Sequence, residues 1–367
     1  MEYFPPVMNM ARFFALQDQW DVSVCTNRNQ LGRQDFSSSS VTLIRGSFPT
    51  GKRGIKRIFS YLSFHLKSLD HLLTSRPDVI LYIEPHSALP VFLSRLIRRK
   101  GRLFIHYHEY HRPDDFDKPG MRMARWCNHL EKAWLYPVAD WISQTNEDRL
   151  KLFLKDHPGI DPSRTGVLPN YPPASWWSGR NKAWQEVKAG DEPIRMVYVG
   201  ALSRADTFIE EVVTWIVNLA SPAVTLDIFS FNMHEETRTY LKNVANERIR
   251  LHEGGVDYDD LPDLLREYHV GLILYRGNTP NYVYNASNKL FEYLACGLDV
   301  IYPRQMKGVK PYARSSSKPR VIECDFERID IFSYTLDGRE LLPPAQTTVT
   351  CESVLAGLEK AMLQVVS

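Results

Sequence analysis

The residue pattern with the clearest chemistry lies in NYVYNASNKLFEYLACGLDVIYP, residues 281–303. Ser287 or Asn288 can cap a helix whose first turn carries Lys289, and Glu292 follows one turn later. A helix N-terminus exposes unpaired amide N–H groups and favours negative charge, and residues three apart share one helix face. The pattern therefore predicts a cation for a pyrophosphate and a carboxylate for a ribose diol. The alternative is a surface helix with a solvated ion pair.

A second candidate is VYVGALSR, residues 197–204, where an apolar run meets a turn at Gly200 and Ala201. Small residues at such a turn let a phosphate approach the backbone closely. Arg204 could add positive charge. An ordinary strand-to-helix turn is the alternative, because many such turns contain glycine.

The third candidate is HYHEYH, residues 106–111, at the end of a predicted strand. Alternate strand residues point to opposite faces, so His106 and His108 share one face and Tyr107 and Glu109 the other. Ligands of open α/β sheets bind beyond the carboxyl ends of the strands. Three interpretations remain open: a histidine and a carboxylate that transfer protons, a metal cluster, or a hydrogen-bonded histidine at the sheet edge.

A phosphate-binding loop is suggested by GSFPTGKR, residues 46–53, which fits the spacing G-x-x-x-x-G-K. However, Arg53 replaces the Ser or Thr that would bind magnesium, and Pro49 removes one backbone N–H from the loop. An ordinary loop is the better interpretation.

The elements that carry these residues are predicted to be parallel sheets covered by helices, because short apolar runs alternate with amphipathic stretches along the chain. A proline-rich segment, 169–193, favours an extended connector. We expect an N-terminal domain over 1–170, a hinge over 171–193, a C-terminal domain over 194–345 and a final helix within 346–367. The predicted strands are 20–26, 40–46, 78–84, 102–108, 140–145, 165–170, 194–201, 224–230, 249–254, 269–275 and 299–303, and the predicted helices are 54–74, 87–99, 120–137, 146–155, 206–219, 235–246, 259–268, 287–296 and 349–365.

The start of the chain departs from this scheme. A doubly wound domain opens with a buried strand, whereas the first residues lead almost directly into a predicted turn at FPP, residues 4–6. We therefore expect either a truncated first strand or a numbered start that is not the natural one.

Composition bounds the class of protein. With 367 residues, 44% of them hydrophobic and 24% charged, the chain suits two globular domains and not a disordered chain. A formal net charge of +2 gives no reason to expect nucleic-acid binding. Five widely spaced cysteines without a CxxC pair indicate a reducing compartment and argue against a zinc site. Without a secretory signal or an apolar run of about 18 residues, we expect a cytoplasmic protein.

Taken in order, these motifs resemble the retaining nucleotide-sugar glycosyltransferases of the GT-B fold, particularly glycosyltransferase family 4. The matching landmarks run through nearly the whole chain: FPP, HYHE, LPNYPP, YVGAL, LHEGGVDYDDLPDLLREYHVGLILY and SNKLFEYLACGLDVI. The resemblance implies two Rossmann-like doubly wound domains that face a central cleft, with a C-terminal helix crossing back to the N-terminal domain. It also implies a nucleotide-sugar donor on the C-terminal domain and a glycan or lipid-linked acceptor on the N-terminal one.

Individual roles follow from the same resemblance. Glu292 matches the carboxylate that holds the ribose hydroxyls, and Lys289 lies beside the diphosphate, where it assists departure of the leaving group. His108 resembles the histidine that contacts the transferred sugar, and Glu109 the acidic residue that often follows it. The remaining donor-binding positions implied are Gly200, Ala201, Arg204, Gly254, Gly255, Val256, Tyr275, Asn285, Ser287 and Asn288.

Two departures from the family pattern bear on function. The family has a glutamate eight residues before Glu292, where this chain has Tyr284, and SRADTF replaces the usual Lys-Gly, so that Arg204 would substitute for the lysine. The resemblance implies retention of configuration, no cofactor and no bound metal. The alternatives are a nucleotide-sugar epimerase or hydrolase, and a non-catalytic binding subunit, which Tyr284 suggests.

A basic surface is predicted in the N-terminal domain. Residues 51–102 contain eleven Lys or Arg and three Asp or Glu, interleaved with apolar residues at helical spacing. Such a surface suits an anionic membrane, at the inner face of which the protein would bind peripherally, or a lipid-pyrophosphate acceptor. The alternative is a helix that packs its apolar side on the sheet.

Overall fold

The computed structural model describes residues 4–27, 36–46, 55–179, 181–186, 193–219, 224–316, 318–331 and 349–366. The α-helices are α1 Pro5–Ala15, α2 Ile55–Ser75, α3 Ala88–Ile97, α4 Arg122–Leu130, α5 Glu147–Asp156, α6 Lys182–Glu186, α7 Ile209–Asn218, α8 Glu235–Val244, α9 Leu261–Leu265, α10 Pro280–Val283, α11 Asn288–Ala295 and α12 Cys351–Val366. The strands are β1 Val22–Asn27, β2 Val41–Gly46, β3 Val79–Ile83, β4 Arg102–Tyr107, β5 Trp141–Gln144, β6 Thr165–Val167, β7 Ile194–Val199, β8 Val224–Phe229, β9 Ile249–His252, β10 Val270–Leu272, β11 Asp299–Pro303 and β12 Val321–Cys324.

The chain divides into two compact units. The first unit comprises Met1–Pro169 together with Cys351–Ser367, and the second comprises Asn170–Thr350. The division between Pro169 and Asn170 lies one residue from the predicted end of the N-terminal domain. Residues of the predicted hinge belong to the second unit, since Trp176 is 5% exposed and packs in its core.

The second unit is a doubly wound domain. Its six parallel strands lie in the order β12-β11-β10-β7-β8-β9, so the winding direction reverses between β7 and β10. All five residues of β11 are buried, and Met196 and Leu226 at the centre of the sheet are fully buried. Such continuous apolar runs are expected for strands that helices cover on both faces. The crevice at the carboxyl end of such a switch point is where ligands bind in open α/β sheets.

The first unit contains two parallel sheets in the described residues, a pair β1-β2 and a four-stranded sheet β3-β4-β5-β6. Tyr82, Ile105 and Ile142 of the larger sheet are buried in one apolar core. Helix α12 packs with α1 in another, where Leu355 and Met362 contact the cluster that includes Phe14.

The predicted α/β architecture is confirmed, and each predicted strand overlaps an observed one. One expectation was wrong and one strand was missed. The FPP segment is not a turn, because Phe4 is the N-cap of α1 and the prolines occupy its first turn, where a missing N–H costs nothing. Strand β12 was not predicted, although it pairs in parallel with β11. The described residues before β1 form α1 and no strand.

Candidate functional site

Lys289 is the centre of the candidate site in the second unit. It lies in the first turn of α11, and Ser287 occupies the N-cap position with extended backbone. Ser287 is buried, but its side chain makes no capping hydrogen bond to the described residues of the helix. The predicted helix start is therefore confirmed, whereas the side-chain cap is not formed.

The ammonium of Lys289 is held by tyrosines. Its Nζ donates a hydrogen bond to the Tyr275 hydroxyl at 2.9 Å and lies 5.0 Å and 5.6 Å from the ring centroids of Tyr275 and Tyr198. The Tyr275 ring stacks on Tyr282, with centroids 4.9 Å apart. Burial lowers the pKa of Lys289, but Tyr275, Tyr198 and Glu292 together outweigh that effect, so the net pKa lies above the ordinary value. The side chain is thus a permanent cation.

The turn after β7 lies directly against this cation. Gly200 has φ +132°, and a Cβ placed on it would lie 2.8 Å from Cε and 2.9 Å from Nζ of Lys289. Only glycine fits both that backbone conformation and that space. The Gly200 N–H donates to the Phe229 carbonyl at 2.9 Å, and Ala201 accepts a bond from the Tyr198 hydroxyl at 2.6 Å. The structure therefore brings the predicted glycine turn and the predicted lysine together.

Glu292 lies one turn after Lys289 on α11 and is 7% exposed. Burial raises its pKa from 4.5 to about 7, and the nearby Lys289 opposes that rise. Near neutral pH the carboxyl group can therefore accept hydrogen bonds as an anion or carry a proton. A buried carboxyl near a half-buried cation suits a ligand that presents both hydroxyl groups and negative charge.

Other predicted donor residues occupy the same edge of the sheet. Gly255, with φ +61°, follows β9 and packs on the Phe231 ring, which follows β8. A Cβ placed on Gly254 would meet no atom within 4 Å. Val256 packs partly buried on the core, and Asn285 is half-buried after α10.

Arg204 has a different environment from the predicted one. Its guanidinium pairs with the carboxylates of Glu210 and Glu236, the latter at 2.9 Å, and lies 4.8 Å from the Tyr240 ring centroid. These partners belong to α7 and α8, so the charge is already neutralised there.

Tyr284, at the position of the family glutamate, ends α10. The chain at Gly308 packs closely on it, because a Cβ on Gly308 would lie 2.5 Å from the Tyr284 carbonyl. This contact concerns the backbone, so Gly308 constrains the path of the chain between α10 and α11.

In the first unit, His106, Tyr107 and His108 follow the predicted alternation at the end of β4. The His106 and His108 rings lie 4.5 Å apart, whereas the Tyr107 hydroxyl points to the opposite side and donates to Glu131 at 2.6 Å. His106 bonds Ser143 Oγ at 2.9 Å, and burial lowers its pKa to about 3, so its imidazole is neutral. His108 is 5% exposed, while Glu109 is exposed and lies 3.6 Å from His111.

A metal cluster was one alternative interpretation of this histidine segment. Among the described residues, no group of three or more His, Cys, Asp and Glu side chains could hold a metal ion. The predicted phosphate-binding loop, residues 46–53, lies outside the described residues except for Gly46.

Tyr198 was missed by sequence reasoning. An aromatic residue in an apolar strand is usually assigned to the core, and only its position directly before the glycine turn could have indicated a role at the site. Tyr293 was missed for the same reason, although its hydroxyl accepts a hydrogen bond from the Val199 N–H at 3.1 Å and so anchors α11 to β7.

The fold is that of GT-B glycosyltransferases. The chain is similar to WaaG, a glycosyltransferase involved in lipopolysaccharide biosynthesis, with a TM-score of 0.60, 12% identity and coverage of 99% of this chain and 89% of that one. Sucrose-phosphate synthase from Thermosynechococcus elongatus gives a TM-score of 0.59, 15% identity and coverage of 98% and 90%. Anabaena HepE in complex with UDP and glucose gives a TM-score of 0.56 and 11% identity, with coverage of 89% of this chain and 85% of that one. No protein-family model and no curated protein matches the sequence significantly.

Proposed function

We propose that this protein is a retaining glycosyltransferase resembling family 4. It would transfer a sugar from a UDP- or GDP-sugar to a glycan or lipid-linked glycan in the synthesis of cell-surface polysaccharide or glycoconjugate. The observation that carries the proposal is the half-buried Lys289 and the buried Glu292, one helical turn apart beside Gly200, at the switch point of a doubly wound sheet. The GT-B fold supports it.

Each group would have a defined task. Departure of a nucleoside diphosphate develops negative charge, which Lys289 and the amides at the start of α11 would stabilise without reorganisation. Glu292 would accept hydrogen bonds from the ribose hydroxyls. His108 and Glu109 of the first unit would contact the transferred sugar. No cofactor and no metal would take part.

Nucleotide binding and product analysis test the proposal together. UDP, GDP and ADP are titrated into the protein by calorimetry, with Lys289→Met as the site variant and Lys310→Met, an exposed lysine of the same unit, as its control. We expect one nucleoside diphosphate to bind, Lys289→Met to weaken it about 10- to 100-fold, and the control to leave it unchanged. Binding of none of them, or equal binding to both variants, contradicts the donor site.

The products separate transfer from its alternatives. Incubation with the UDP- or GDP-sugar alone would release free sugar or an epimer if the protein were a hydrolase or an epimerase. A transferase requires an acceptor extract for full turnover. Nucleotide binding without any product would favour the non-catalytic subunit.

We also propose that the first unit binds an anionic membrane surface at the cytoplasmic face. Helices α2 and α3 expose large apolar side chains. An open groove of about 610 Å³ at the C-terminal ends of the two helices is lined by Leu73 and Ile97, by several cations and by Asp78. We call this the α2–α3 face. Its exposed apolar residues are Phe59, Leu62, Leu66, Leu96 and Ile97, and its groove cations are Arg76, Arg98, Arg99 and Lys100. No helix of the described residues is long and apolar enough to cross a membrane.

Flotation with vesicles tests this surface. The triple variant Arg98→Gln/Arg99→Gln/Lys100→Gln is compared with Lys151→Gln/Lys155→Gln/Lys360→Gln, which removes the same charge from exposed positions elsewhere in the unit. We expect binding to phosphatidylglycerol vesicles, weakened by salt and by the first triple variant alone. Equal flotation of the two triple variants would exclude the α2–α3 face.

A further inference from the structure

Glu84 is a half-buried carboxyl residue in the first unit that none of the roles above includes. It follows β3 directly and has φ +64° and ψ 152°. A positive φ is uncommon for a residue with a side chain, and it persists only where the surrounding structure imposes it. Such residues cluster at functional sites, so the contacts of Glu84 are informative.

The Glu84 side chain reaches across to the end of β4. Its Oε1 accepts hydrogen bonds from the backbone N–H groups of His108, at 2.8 Å, and Glu109, at 3.0 Å. The Glu84 N–H donates to the His106 carbonyl at 3.2 Å. Three hydrogen bonds therefore fasten the residue after β3 to the end of β4 and the turn that follows it, between residues at least 22 positions apart in the sequence.

The opposite side of that turn is fastened by Arg149. Its Nη1 donates to the His108 carbonyl at 2.5 Å and to Thr145 Oγ1 at 2.9 Å, and the side chain is 1% exposed. The His108 peptide groups are thus held on both sides. The His108 ring is also confined, because the Phe4 ring centroid lies 4.2 Å away and that of His106 lies 4.5 Å away.

We propose that Glu84 is a positioning residue for the reaction, which fixes His108 and Glu109 through their backbone and does not touch the substrate. The proposal rests on the proposed transferase function for the roles of His108 and Glu109. The positive φ at Glu84 aims the carboxyl group at two successive amides. Without this acceptor the two amides would be unsatisfied, and the turn would shift to find other partners.

The state of the carboxyl group indicates the informative substitution. Burial raises the pKa of Glu84 to about 8, and the Glu109 carboxylate adds to the rise. Below that pH the group is a neutral acid whose carbonyl oxygen accepts both bonds. Glutamine reproduces this acceptor at the same place. Glycine removes it and adopts a positive φ without strain, so Glu84→Gly should fold.

The test compares Glu84→Gln, Glu84→Gly and the control Glu147→Gly, which removes an exposed carboxylate of the same unit. With a turned-over nucleotide sugar, we expect Glu84→Gly to lower kcat about 10- to 100-fold while the dissociation constant of the donor stays within about twofold. Glu84→Gln should keep kcat within about threefold. Sodium formate, which can refill the space of the missing carboxyl group, should restore much of the activity of Glu84→Gly.

Hydrogen exchange provides a readout that needs no substrate. The amides of His108 and Glu109 should exchange at least about tenfold faster in Glu84→Gly than in the wild type, and at the wild-type rate in Glu84→Gln. If no nucleotide sugar binds, the proposed function fails, and the exchange still decides whether Glu84 holds the His108 and Glu109 amides. Unchanged exchange in Glu84→Gly, an unchanged kcat, or an equal loss of kcat in Glu84→Gln and Glu84→Gly would each overturn the inference.

Discussion

Replacing Glu292 by glutamine should stabilise the unliganded protein above pH 7 and, at the same time, weaken its binding of a nucleoside diphosphate. The two effects have opposite signs because the same carboxyl group is costly when it is buried and charged, and useful when ribose hydroxyls donate to it. A purely structural glutamate would not show this combination.

The expected size follows from the burial of Glu292. Its pKa rises from 4.5 to about 7 on folding, and a shift of one pKa unit corresponds to about 1.4 kcal/mol, so the effect is about 3 kcal/mol. Between pH 4.5 and 7 the folded state binds more protons than the unfolded state. Stability from this group is therefore present at low pH and is lost as the pH rises through that window. Glutamine cannot ionise, so the variant avoids the loss.

Chemical denaturation at pH 5.0 and 8.5 measures the first effect. We expect the free energy of unfolding of Glu292→Gln to exceed that of the wild type by about 2–3 kcal/mol at pH 8.5 and to match it at pH 5.0. The control Glu247→Gln, an exposed carboxylate of the same unit, should follow the wild type at both pH values.

Calorimetry measures the second effect. Loss of hydrogen bonds to a charged acceptor, worth about 1.5–3 kcal/mol, should weaken nucleotide binding about 10- to 100-fold at pH 8.5. The reasoning would be refuted if the pH dependence of stability were the same in Glu292→Gln and the wild type, or if nucleotide binding were unaffected.

Three further predictions concern single positions. Gly200→Ala should lower the unfolding free energy by about 1–3 kcal/mol and displace Lys289, which chemical denaturation and nucleotide titration would measure. The control is Gly159→Ala, whose added methyl group would meet no atom. Lys289→Arg should not restore the nucleotide affinity lost in Lys289→Met, because a planar guanidinium does not fit the space between Tyr275 and Gly200; equal affinity to the wild type would contradict this. Between pH 6.5 and 4.5 the contribution of His106 to stability should fall by about 3 kcal/mol, because the folded state keeps His106 neutral with a pKa of about 3 while the unfolded state protonates it. In acid denaturation the unfolding free energy of His106→Asn should therefore rise relative to that of the wild type over this range, and a constant difference between the two would argue against the reasoning.

Local patterns in the sequence were sufficient for much of the scaffold. The spacing of apolar runs predicted the strands, and the three-residue spacing of Lys289 and Glu292 placed both on one face of α11, because helix and strand periods are properties of neighbouring residues. The neighbouring glycine turn at Gly200 was also visible, since a strand ran directly into it.

Contacts across long sequence separations were decided only by the tertiary structure. The sequence contains no sign that Tyr275 and Tyr198 would surround Lys289, or that Glu210 and Glu236 would already neutralise Arg204. It likewise does not show that Glu84 would reach the amides after β4. These side chains meet because parallel strands bring distant loops to one edge of a sheet, and which partners meet there depends on strand order and packing. The residue types set what chemistry was available, and the fold decided which of them act together.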